Sequence, residues 1–252
     1  MPRRASSRRR TSISPASELL ARYARGLAAA GLIAFAAGCT PQAQLLAAVA
    51  PYMVNFIPLE TMATVMSNLK GVDAKNQKRL DELMAKGDWE GVARFAEENI
   101  AKERRIVDWW VVAGLAYAQM GQYVKASERF AEAVRLEPGD MENRNLLALS
   151  QRLGGDSQRA LKTLNEALRV NQESADTYYL IGECFMDLKQ PARAAAAYER
   201  AVALEPQSAE ALYGLGLAYA ETGRTADVQM VAKQLRDVQP ALAAKLAALA
   251  PR

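Results

Sequence analysis

Small, apolar and aromatic residues recur along this chain at a fixed spacing of 34. One column reads Gly114, Ala148, Gly182 and Gly216, and another Ala126, Ala160, Ala194 and Val228. A third reads Phe130, Leu164, Tyr198 and Ala232, and a fourth Ala133, Ala167, Ala201 and Leu235. Trp110, Tyr178 and Leu212 share a column, as do Tyr117, Phe185 and Tyr219. Pro206 and Pro240 keep the same interval, and Pro138 lies twice that distance before Pro206. The pattern predicts units over 107–140, 141–174, 175–208 and 209–242, each a pair of antiparallel helices that cannot bury its apolar face alone. A degenerate unit fits at 73–106, its turn Gly87-Asp88-Trp89 in phase with Gly121-Gln122-Tyr123. The unit at 141–174 departs most, with Arg144 and Gln151 where aromatics are expected and Gln172 in place of proline.

The columns have a simple physical reading. Small residues let the two helices of a unit approach, and the aromatic columns fill the space between neighbouring units. Ala194 is expected at such an approach, and Ala197 is expected to face outward. Leu-Glu-Pro at 136–138 and 204–206 stops the second helix, because proline disfavours a helical residue before it. Asp140, Ser174 and Ser208 close their units, each placed to cap the next helix. At the ends, 58–70 predicts a helix with Leu59, Met62, Met66 and Leu69 on one face, within a tether over 39–72. The final stretch predicts a capping helix over 243–252, preceded by Pro240.

These columns resemble the tetratricopeptide pattern W-x₂-L-G-x₂-Y…A-x₃-F…P. The resemblance implies an all-α solenoid of helix-turn-helix repeats, a right-handed superhelix closed by a C-terminal helix. It also implies a concave ligand surface lined by the first helix of each unit. Carrying over the fifth, ninth and twelfth positions places Val111, Leu115 and Ala118 there, then Asn145, Leu149 and Arg152. Tyr179, Glu183 and Met186 come next, then Tyr213, Leu217 and Ala220, with Asp187 and Glu221 beside them. Chaperone-binding relatives clamp a carboxylate with lysines and asparagines at groove positions, where this chain has Val111, Leu115, Tyr179, Glu183, Tyr213 and Leu217. The surface instead suits a helix or extended segment with apolar anchors and one or two basic residues. Tyr179 and Tyr213, outside every core column, are expected to act as paired anchors. The second position is acidic in each of the four units from 107 on (Asp108, Glu142, Asp176, Glu210), where first-turn acids also favour the helix macrodipole.

Ahead of the repeats, Gly26 to Gly38 is apolar throughout and comes after an arginine- and serine-rich leader. At ~1.5 Å per residue it is too short for a bilayer core of ~30 Å and fits the apolar part of a secretory signal peptide. Ala36-Ala37-Gly38-Cys39 resembles the lipobox of bacterial lipoproteins, with Ala36 where leucine is usual. The resemblance implies cleavage over 1–38, a lipid on Cys39, and, with Thr40 next, an outer-membrane destination facing the periplasm. The same composition also fits an organellar transit peptide, which would make the protein an adaptor in another compartment.

Charge and chemistry narrow the functions further. The chain is formally +4, residues 1–38 carry seven arginines against Glu18, and residues 39–252 are therefore −2. Beyond the leader nothing basic remains to attract nucleic acid. There is no histidine, which excludes a Ser-His-Asp triad and histidine metal sites. Gly154-Gly155-Asp156 is an inter-helix turn rather than a phosphate loop, and Cys184 is expected to be an inert core thiol. The reading is a non-enzymatic scaffold without metal or cofactor, held to a membrane by its lipid and binding a protein segment. Lipoproteins of similar layout assist assembly of pili, secretins or outer-membrane proteins.

Overall fold

The computed structural model describes residue 66 and residues 69–249, among which there are eleven helices and no strand. The leader, Cys39 and most of the helix expected over 58–70 lie outside the described residues. The chain divides into two compact units, the first reaching Asp88 and the second running on from Trp89. In the first unit, α1 (Ala74–Ala85) buries Leu80, Leu83 and Met84. The Asp73 carboxylate starts it by accepting from the N–H groups of Lys75 and Asn76, both at 2.9 Å.

The second unit holds α2 (Trp89–Lys102), α3 (Val107–Gln119), α4 (Tyr123–Leu136), α5 (Met141–Leu153) and α6 (Ser157–Val170). It continues through α7 (Ala175–Asp187), α8 (Pro191–Leu204), α9 (Ala209–Glu221), α10 (Thr225–Val238) and α11 (Pro240–Ala248). Each helix packs on the next in the chain. In addition α5 touches α7, α7 touches α9 and α9 touches α11, whereas no two second helices meet to a comparable extent among the described residues. Within this unit the first helices α5, α7, α9 and α11 therefore lie side by side along the stack.

Start and stop signals recur with the repeat. Asp140, Ser174 and Ser208 accept from the N–H groups of Asn143, Thr177 and Ala211 at 3.0, 3.3 and 3.2 Å. Each satisfies one of the unpaired donors at a helix start, typically worth ~1 kcal/mol. The turn inside each pair ends with a residue at positive φ: Gly87, Gly121, Gly155, Lys189 and Gly223. Its N–H and the next one bond back onto the first helix, as in Gly121 to the Ala118 carbonyl (2.9 Å) and Gln122 to the Tyr117 carbonyl (2.8 Å). This left-handed cap favours glycine, and Lys189 fills it at φ 57.

The glycine column sets how closely helices approach. A Cβ on Gly182 would sit 2.5 Å from the Tyr198 ring, and one on Gly114 2.6 Å from the Phe130 ring. Ala194 is fully buried as expected, but Ala197 is 6% exposed and packs with Ala148, Leu164 and Ile181. A second helix packs on the first helix of the following unit as well as on its own partner, so its buried face is wider than one column. Ala196, next to it, is the exposed position.

The irregular unit at 141–174 is repaired in place. The Trp110 indole N–H donates to the Arg104 carbonyl at 3.0 Å, and the Arg144 guanidinium donates to the equivalent carbonyl, that of Pro138. Tyr117, Phe185 and Tyr219 each lie beneath a cation, from Lys125, Arg193 and Arg224. Gln151 holds the same column, is buried, and accepts from the Thr163 hydroxyl at 2.8 Å. The hydrogen bond offsets the loss of an aromatic because it leaves the buried amide oxygen satisfied.

Candidate functional site

Positions 2, 5, 9 and 12 of a helix fall at spacings of three and four, which puts them on one face. On α5, α7 and α9 that face is open in part. Asn145, Leu149, Arg152, Tyr179, Glu183, Met186, Tyr213, Leu217 and Ala220 are all half-buried, and Asp187 and Glu221 are exposed. On α3 the last three of these positions are closed: Val111 is 4% exposed, Leu115 1% and Ala118 0%. This corrects the expectation that Val111 and Leu115 line the groove. The sequence VDWWVVAGLAYAQ carries apolar residues on every side of α3, and a helix apolar all round is a buried one.

At the centre of the open face, Arg152 reaches from α5 to two carboxylates on α7. Its Nη1 lies 3.2 Å from Glu183 Oε2 and 3.4 Å from Asp187 Oδ2. The second oxygen of Glu183 accepts from the Tyr198 hydroxyl at 2.6 Å, and Asp187 accepts from the Ser157 hydroxyl at 3.0 Å. Only 16% of the Arg152 side chain is exposed. Burial opposes its charge, but Glu183 and then Asp187 outweigh that and hold its pKa above the ordinary value. Burial, then Glu183, pushes the Tyr198 hydroxyl well above the tyrosine range, so it stays a donor.

Two expectations change here. Glu183 is not a free ligand-facing charge, because both of its oxygens are engaged within the protein. Tyr179 and Tyr213 do not stand clear of the core, because both pack against it. The Tyr179 ring lies 5.9 Å from that of Tyr198, and its pKa is raised by burial and then by Glu183. A ring that bridges two repeats serves the stack and the surface together. Cys184, beneath this network, is buried and its thiol is pushed up to about 12, chiefly by burial. That leaves it protonated and unreactive near neutral pH.

Sequence reasoning missed the roles of Tyr198, Ser157 and Thr177. Tyr198 had a signal: its column is otherwise apolar, and a lone hydroxyl there implies a buried acceptor. The Thr177 hydroxyl donates to the Asn145 side-chain oxygen at 3.0 Å, joining α7 to α5 on the same face.

The model of the tetratricopeptide repeat matches residues 179–227. That of the anaphase-promoting complex (cyclosome) subunit 3 matches residues 119–201. Among solved structures, MamA superposes with a TM-score of 0.53 at 25% identity, over 68% of this chain and 91% of that one. TTC0263, a thermophilic TPR protein in Thermus thermophilus, gives 0.54 at 19% identity, over 68% and 95%. The fold is a tetratricopeptide solenoid. YrrB, described as a TPR protein with an unusual peptide-binding site, gives 0.53 at 19% identity, over 66% and 87%. TPR repeat-containing protein MJ1428 of Methanocaldococcus jannaschii is 26% identical over 97 residues, 36% of this chain and 17% of its own. Superkiller protein 3 of Schizosaccharomyces pombe is 25% identical over 152 residues, 57% and 11%. The chain thus spans less than a fifth of the length of these curated relatives. Tetratricopeptide stacks are in general interaction scaffolds without catalysis, and among the described residues no three or more His, Cys, Asp or Glu side chains are grouped as metal ligands would be.

Proposed function

We propose that this protein is a non-enzymatic scaffold that holds a segment of a partner protein against the open face of α5, α7 and α9. The half-buried run Leu149, Tyr179, Met186, Tyr213 and Leu217 carries the reading. Apolar and aromatic groups left partly open along one helix face favour a binding surface. The peptide-binding site described for YrrB supports a similar use of this fold. In this reading Ala36-Ala37-Gly38-Cys39 directs lipidation, and acyl chains on Cys39, at ~0.8 kcal/mol per buried CH₂, hold the protein at the periplasmic face of the outer membrane. The scaffold would then serve assembly of an envelope complex, the pilus- and secretin-assembly lipoproteins being the analogy.

Each half has its own test. Tyr213→Ala should keep the protein helical and weaken partner capture from detergent-solubilised envelope at least tenfold, or ~1.4 kcal/mol. A folded variant with unchanged recovery would overturn the binding face. Cys39→Ser should abolish incorporation of labelled fatty acid, and equal labelling of both proteins would overturn the anchor.

A further inference from the structure

The open face carries a charge pattern that the binding proposal alone does not use. The second residue of α5, α7 and α9 is Glu142, Asp176 and Glu210, and all three are exposed. None of the three has a basic partner among the described residues. Their position on the helix puts them on the same face as Tyr179 and Tyr213, one carboxylate at the N-terminal end of each repeat. The macrodipole favours an acid there. It does not supply a cation to balance one. The basic residue on this face, Arg152, is already held by two carboxylates, so the surface remains net negative. Glu142 feels that field: burial and then Asp140 and Asp176 raise its pKa.

Spacing restricts the occupant. Helices in contact lie about 8–10 Å apart, which sets the step from one carboxylate to the next. An extended polyproline-type segment turns once per three residues and rises ~3.1 Å for each, so equivalent side chains recur every ~9 Å. A helix, with its neighbours on one face ~5–6 Å apart, does not match that step without skipping a turn.

Resting on the scaffold reading above, we propose that the groove takes an extended segment of a partner protein bearing lysine or arginine at every third residue. Its basic groups meet Glu142, Asp176 and Glu210, while apolar residues between them lie over Tyr179, Tyr213 and Leu217. The test uses the full chain and a fluorescent synthetic peptide of about twelve residues, lysine at every third position with leucine and alanine between. An isomer of the same composition with its lysines contiguous serves as control, and binding is tracked by anisotropy at low and high salt. The periodic peptide should bind at least tenfold tighter than its isomer, and added salt should weaken it. Glu142→Gln, Asp176→Asn and Glu210→Gln combined should cost at least tenfold and flatten the salt dependence, with helicity retained. Equal binding of the two isomers overturns the proposal without need of any variant, as does a folded triple variant that binds like the parent. Tyr213→Ala separates the two readings. If it weakens both isomers alike, the groove stands and the basic register falls; if it weakens neither, the groove itself falls.

Discussion

At the residue scale, the Tyr198 hydroxyl ties the core of one repeat to the ion pair on its surface. It fills the space left by Gly182 while donating to Glu183, which also faces Arg152. Tyr198→Phe keeps the ring and removes that donor, so it should cost ~1.5–3 kcal/mol at neutral pH, as for hydrogen bonds to charged groups. The alkaline limb gives a second readout. A tyrosine whose folded pKa lies above its unfolded value of 10.0 contributes stability fully present below that value and lost as pH rises through the folded pKa. Urea denaturation should therefore show wild-type stability falling above pH 10, and Tyr198→Phe losing less over that range. Tyr219, pushed up to about 12 by burial and by Glu199, leaves part of the same limb in the variant. Lys189 offers a separate test, because it holds a left-handed turn that four other repeats give to glycine. The conformation costs a non-glycine residue ~1–2 kcal/mol, and glycine returns part of that as entropy of the unfolded chain. Lys189→Gly should raise the melting temperature, by a net ~0.5–1 kcal/mol. A lower melting temperature would mean that the lysine side chain has a role at the turn.

At the scale of the helix, the columns legible in the sequence are those that set the distance between the two helices of one unit. Ala194 and Gly182 are readable because a larger side chain at either position meets a wall, whatever lies farther off. Ala194→Leu should accordingly cost ~1–3 kcal/mol by overpacking, whereas the exposed Ala196→Leu should melt with the parent. Equal melting of both would shift the repeat register. Other positions are not readable, for a different reason. Periodicity gives the direction of a side chain from its own helix and says nothing of how many neighbours that direction meets. Val111 and Leu115 share helical positions with Tyr179 and Glu183, yet α3 is apolar on all sides and α7 is not. Ala197 is buried in a cluster that joins its own partner helix to residues of the preceding repeat. The ion pairs of Arg152 are hidden too, because they join residues 31 and 35 apart in the chain, just short of and just past one repeat length.

At the scale of the second unit, each helix pair rests mainly on its immediate neighbours, so stability is a sum of local interfaces and not one undivided core. The C-terminal end shows what this implies. Helix α11 buries Leu242, Ala243 and Leu246, and Leu246 lies in the space that Gly216 leaves on α9. Leu249 repeats the column of Leu147, Ile181 and Leu215, which are 8%, 7% and 5% exposed, but it is itself 52% exposed because no second helix covers it among the described residues. Among the described residues α11 is therefore packed from one side, and Leu246 supplies much of its contact with α9. Leu246→Ala should cost ~2–5 kcal/mol as a buried truncation. In a nearest-neighbour stack that loss stays local. Native-state hydrogen exchange should show α9, α10 and α11 losing protection at low denaturant while α5 and α6 keep the parent's rates. Leu164→Ala, equally buried but inside the stack, should instead lower protection in α5 through α8. Identical exchange profiles for the two variants would make the unit a single cooperative block, and the groove residues of α5 and α9 would then open together.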